Sequence, residues 1–176
     1  MILDAFLQFD SALNLALAAG TYNSTNVIDL GVVNGLPASI VGGGGGGARD
    51  IGIGDDPAMK LLVLVTTTFT GGTNIQASIQ GAPDNGAGVP GAYTTMLTGP
   101  LVVLANLIQG TRLMDDDMPR PVPAQAVPRF LRMQYVTTGV FTAGVVESLL
   151  VLDRHDQIET TNAVLSGYPP GITIQN

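Results

Sequence analysis

The segment from Met59 to Gln80 limits the fold of this chain more than any other, because two adjacent runs in it demand extended backbone. Met59 to Thr67 reads Met-Lys-Leu-Leu-Val-Leu-Val-Thr-Thr, apolar at odd and even positions alike. Those positions face opposite sides of a strand, so the run suits a strand covered on both faces, in the middle of a sandwich or against another subunit. Thr73 to Gln80 alternates strictly instead, with Ile75, Ala77 and Ile79 on one face and Asn74, Gln76, Ser78 and Gln80 on the other. One face is expected dry and the other wet. Gly71-Gly72 supplies the positive φ that a tight connection needs, and the two runs read as a β-hairpin.

A second pair of runs has the same form. Arg129 to Thr138 and Val145 to Asp153 read as strands joined through Gly139 to Gly144, and Phe141-Thr142-Ala143-Gly144 echoes Phe69-Thr70-Gly71-Gly72. Two similar hairpins predict a sandwich with related halves. The 23 glycines and 11 prolines, with charged residues at 12%, also fit many short strands joined by turns. An all-β, antiparallel sandwich is the expected fold.

The remaining segments are read around these hairpins. Residues Met1 to Ala19 read as extended, Leu13, Leu15 and Leu17 alternating with Asn14 and Ala16, although a short helix capped at Asp10 or Ser11 competes. Tyr22 to Thr25 has turn chemistry, and a strand is expected over Asn26 to Leu30, stopped by Gly31. The six consecutive glycines Gly42 to Gly47 would each cost about 0.5–1 kcal/mol inside a regular element, so they predict a loop. Gly81 to Gly91 is a second loop, and Leu101 to Ile108 is a further strand candidate. Asp115-Asp116-Asp117, followed by Pro119, Pro121, Pro123 and Pro128, predicts an exposed connection. Residues 1–155 are expected to form the sandwich and residues 156–176 an extended C-terminal arm. Pro169-Pro170 forbids helix there, while Ile172 and Ile174 alternate with Thr173 and Gln175 as an added edge strand would. That pattern predicts docking on a neighbouring chain.

Chemistry is thinly supplied. The one histidine, His155, stands among Arg154 and Asp156 and reads as a solvated turn rather than a general base. Asp115 to Asp117 lack the spacing and distant glutamate of a calcium loop. The glycine run contains Gly-x-Gly-x-x-Gly but precedes Ala48-Arg49-Asp50 rather than a helix, so phosphate binding is not expected. Asn23-Ser24-Thr25 matches a glycosylation acceptor by accident of composition, since no secretory leader is read at the N-terminus. Absent cysteine excludes disulfides and thiolate metal sites. A net charge of −7, with Lys60 the only lysine, argues against nucleic acid, whose phosphates would repel the chain. No apolar run reaches the roughly 18 residues of a membrane span. No catalytic, cofactor-binding or metal-binding residue is expected, and the chain is not expected to be an enzyme.

Several segments, in order, carry a family resemblance: Met1-Ile2-Leu3-Asp4 to Gln8-Phe9, Ser24 to Gly31, Arg49-Asp50-Ile51-Gly52-Ile53-Gly54, Phe69 to Thr73, and Phe141-Thr142-Ala143-Gly144 to Leu152-Asp153. Over residues 1 to about 154 the chain resembles the jelly-roll capsid cement, or decoration, proteins of tailed bacteriophages. The resemblance implies a jelly-roll sandwich made in the host bacterial cytoplasm and assembled as a homodimer on the capsid exterior. There it would clamp neighbouring major capsid protein subunits. It brings no catalytic residues. The glycine run, the Asp115 to Pro128 insertion and the tail beyond Arg154 depart from the shorter members. An alternative from another class is a β-sandwich module that recognises a carbohydrate or a host receptor.

Overall fold

A computed structural model describes residues 7–31, 59–86, 88–119 and 128–151. The glycine run, the Arg49 to Gly54 motif, His155 and the arm 156–176 lie outside the described residues. Nine strands are described: β1 (Gln8–Asn14), β2 (Gly20–Asn23), β3 (Ile28–Asp29), β4 (Lys60–Gly71), β5 (Asn74–Ala82), β6 (Thr94–Val103), β7 (Arg112–Asp117), β8 (Phe130–Thr138) and β9 (Phe141–Val151). All their pairings are antiparallel. The first sheet has the order β1-β9-β4-β7 and the second β2-β8-β5-β6, with β3 beside β8. A four-stranded and a five-stranded sheet whose main strands follow these two orders make a jelly roll. The all-β sandwich expected from the sequence is the fold.

Both hairpin readings need correction. β4 belongs to the first sheet and β5 to the second, and the same holds for β9 and β8. Each Gly-rich connection is therefore a corner where the chain changes sheets. The true partners are β4 with β9 and β5 with β8, so two long strand pairs run side by side and bend together from one sheet into the other. A corner and a hairpin share the same local signs, namely two β-prone runs and glycines of positive φ, which Gly71 and Gly72 have at 71° and 63°.

The echo between the two Phe-Thr motifs has a packing reason. Thr70 lies opposite Ala143 and Gly71 opposite Phe141 in the β4–β9 ladder, so the motifs meet head to tail. The rings of Phe69 and Phe141 pack edge to face with centroids 5.2 Å apart. A Cβ on Gly72 would strike the Phe141 ring, and one on Gly144 would strike the Phe69 ring. Each phenylalanine thus rests on the other motif's glycine.

The core lies between the sheets. Leu61, Val63 and Val65 of β4 face Ile75, Ala77 and Ile79 of β5, together with Phe9, Leu131, Met133, Tyr135, Val146 and Leu150. Each large side chain buried there stabilises the fold by about 1.5–3 kcal/mol. β4 is buried on both faces, as its unbroken apolar run requires, since Leu62 on the other side is also covered. The dry face of β5 is as read, but its wet face is not fully wet, because Ser78 and Gln80 are also buried.

Other boundaries shift. Gly20 to Asn23, read partly as a turn, is β2, whose peptides pair with Gln134 to Thr137. The strand expected over Leu101 to Ile108 is the end of β6, and a short 3-10 turn takes Leu104 to Asn106. Pro100 is tolerated because β6 is an edge strand with one side free of ladder bonds. Asp115 to Asp117, read as an exposed connection, close β7 against Leu62, Leu61 and Lys60 of β4. Charges are acceptable there because β7 is the opposite sheet's edge.

Candidate functional site

Two polar clusters hold the sandwich together, and one broad face is left for contact. The first cluster is centred on Asp10, which is buried in β1. Its Oδ2 accepts hydrogen bonds from the Tyr135 hydroxyl (2.9 Å) and the Ser148 hydroxyl (2.8 Å), and its Oδ1 from the Thr25 N–H (2.7 Å). Tyr135 stands on β8 in the second sheet and Ser148 on β9 in the first, so one carboxylate ties both sheets to the turn after β2. Burial, and then the Asp10 charge, push the Tyr135 phenol well above its ordinary range, which keeps it a donor. These bonds tie β1 to both neighbouring layers, so the arrangement serves the fold.

The second cluster joins three segments at one end of the second sheet. Arg129, just before β8, donates through Nε and Nη2 to the two oxygens of Asp29 (2.8 and 2.9 Å) and through Nη1 to Asp84 (2.5 Å). Its guanidinium holds Asp29 below the usual carboxylate range, against the opposing effect of burial, and the Gly31 N–H adds to it. At Asp84 desolvation opposes the shift, but N–H donors from Gly86 and Gly88 together with Arg129 outweigh it, and that carboxyl is lowered too. Sequence reading missed both clusters. A charged residue inside the apolar β1 run, and a lone arginine at the mouth of β8, were the available signals.

The outer face of the second sheet is the surface that stands out. Cross-strand register sets Thr21, Val136, Gln76 and Leu101 in one row, and Asn23, Gln134, Ser78 and Thr98 in the next. Asn74 adds Thr138 on one side and Val103 on the other. Leu101, Val103 and Val136 are exposed, at 55, 46 and 41%. Among the described residues these rows carry no charged side chain; the next row sets Arg132 opposite Gln80, its Nε donating to Gln80 Oε1 (2.9 Å) and its guanidinium lying 3.7 Å from the Tyr93 ring centroid. The amides are held as well: Gln76 Nε2 donates to the Gly99 carbonyl (3.1 Å) and Gln134 Nε2 to Asn23 Oδ1 (3.4 Å). Such a face is apolar in spots, uncharged for most of its extent and fixed by its own hydrogen bonds, which suits docking rather than catalysis.

The earlier candidates do not gather on this face. Asp117 pairs with Lys60 and Asp115 with Arg112 on the first sheet. Among the described residues, no group of three or more His, Cys, Asp or Glu side chains is placed to hold a metal ion. Asn23 is an exposed β2 residue whose side-chain oxygen accepts from Gln134.

No curated protein matches the chain. The Bbp16 family model does match, over residues 15–150, which run from just after β1 to the next-to-last residue of β9. Since that match covers well over half of the sequence and nearly all of the jelly roll, the chain belongs to the Bbp16 family.

Proposed function

We propose that the protein is a non-enzymatic capsid cement protein that binds the exterior of a tailed-phage head and clamps adjacent major capsid protein subunits. The observation that carries this reading is the outer face of the second sheet. Exposed Leu101, Val103 and Val136 stand there among held amides and hydroxyls, in a chain whose net charge is −7. An acidic chain would be repelled by DNA on the inner wall of a shell, so an exterior position suits it. Self-association into a homodimer or higher oligomer is part of the proposal, because two or more copies of a modest docking face bind several capsid subunits with the gain of effective concentration. The order of sequence motifs that resembles cement proteins points the same way.

The test uses capsids prepared without the protein. The purified chain should co-sediment with them and raise their thermal tolerance, and Leu101→Asp with Val103→Asp should abolish both effects while leaving the fold intact. Selective retention on a glycan array with no affinity for capsids would instead favour the carbohydrate-binding reading and overturn this one.

A further inference from the structure

The outer face of the first sheet carries an apolar cluster separate from the main core: Leu62 of β4 with Leu149 and Val151 of β9. Leu62 lies opposite Leu149, and Lys60 opposite Val151. Since side chains two apart share a face, these residues point away from Leu61, Val63 and Leu150, which face the core. On an open sheet face, leucine and valine stay partly exposed, as Leu101 and Val103 do on the second sheet. Here Leu62, Leu149 and Val151 are only 2, 3 and 1% exposed. No described strand packs across them. Their rim is polar: Lys60 with Asp117, Arg112 with Asp115, and Gln8 with Glu147.

The chain that continues from this cluster fits it. Val151 is the last residue of β9, and residues 152–176 follow directly. From Thr160 to Asn176 there is no charged side chain, and Val164, Leu165, Tyr168, Ile172 and Ile174 supply apolar surface. The family match ends at residue 150, ahead of this segment. We propose that residues 152–176 fold back over the outer face of the first sheet in the same subunit, their apolar side chains covering Leu62, Leu149 and Val151.

Reach is ample. Crossing from β9 to β4 is about 4.8 Å, and extended chain spans about 3.3 Å per residue. A segment rooted in the cluster meets it at an effective concentration on the order of millimolar, well above what a neighbouring subunit in solution provides. Residues 1–6 are the weaker occupant. They are only six and carry Asp4. The arm expected on a neighbour thus has a nearer seat on its own subunit. This inference stands apart from the capsid proposal, because it concerns the free protein.

The chain has no cysteine, so a single Leu149→Cys reports access to the cluster. Thiol labelling should be slow in the full chain. It should speed up by roughly tenfold or more when the chain ends at Asp153, and likewise in a full-length Ile172→Ser/Ile174→Ser variant, which covers the case that truncation impairs folding. Circular dichroism should match the parent in the serine variant. Fast labelling in the full chain, or an unchanged slow rate in the serine variant, would overturn the proposal. Protection that disappears on dilution would also overturn it, since that places the segment on another subunit.

Discussion

Asp10 is the residue with the most to lose. Three donors converge on one buried carboxylate, and removing it orphans the buried Tyr135 and Ser148 hydroxyls. Each orphaned group costs about 1–3 kcal/mol, so Asp10→Ala should lower stability by about 3 kcal/mol or more in urea unfolding. Tyr135→Phe removes one donor and leaves two, so a smaller loss of about 1–2 kcal/mol is expected. Equal losses for the two variants would show that Asp10 is not the centre of the network. The glycine at position 144 faces a steric limit instead. Its φ is 145°, and an added Cβ would enter the Phe69 ring, so Gly144→Ala should cost about 2–4 kcal/mol. Phe69→Leu combined with it should recover part of that loss; no recovery would mean the backbone conformation alone sets the cost.

Among the elements, β3, the loop after β5 and the start of β8 depend on Arg129. Both of its carboxylate partners have lowered proton affinity in the folded chain, so their contribution is fully present above about pH 4 and is lost as pH falls below it. Arg129→Met should therefore flatten the loss of stability between about pH 4 and pH 2, and should do so less at high salt, because Asp29 is part-exposed and screened. An acid profile identical to the parent's would remove this cluster from the account. Strand existence was the legible part of the sequence: β4, β5, β8 and β9 fall within a few residues of their expected runs. Their partners were not legible, since local pattern reports which face of a strand is dry but not which sheet the next strand joins. β7 was missed because three aspartates look like a loop, and only the pairing with Lys60, Leu61 and Leu62 makes them an edge. The docking face was missed for a related reason. Val136, Gln76 and Leu101 lie far apart in sequence and become one row only through the β8-β5-β6 order.

At the scale of the whole molecule, the two sheets present unlike surfaces. The first has its apolar outer cluster buried and a rim of ion pairs, whereas the second offers exposed Leu101, Val103 and Val136 on rows that, among the described residues, carry no charged side chain. If the second face is what meets the capsid, attachment draws on apolar burial and backbone-scale hydrogen bonds rather than on charge. Salt then screens little, since the Debye length acts on exposed charges and not on buried apolar area. Attachment to capsids lacking the protein should hold nearly constant as ionic strength rises from low to about 0.5 M, in contrast to a contact built from acidic side chains on basic capsid patches. The comparison is made by co-sedimentation across a salt series with the parent chain and with Lys60→Glu, which changes net charge on the far sheet. Both should behave alike. A steep loss of attachment with salt, or a marked loss on Lys60→Glu, would move the docking surface to the charged rim of the first sheet.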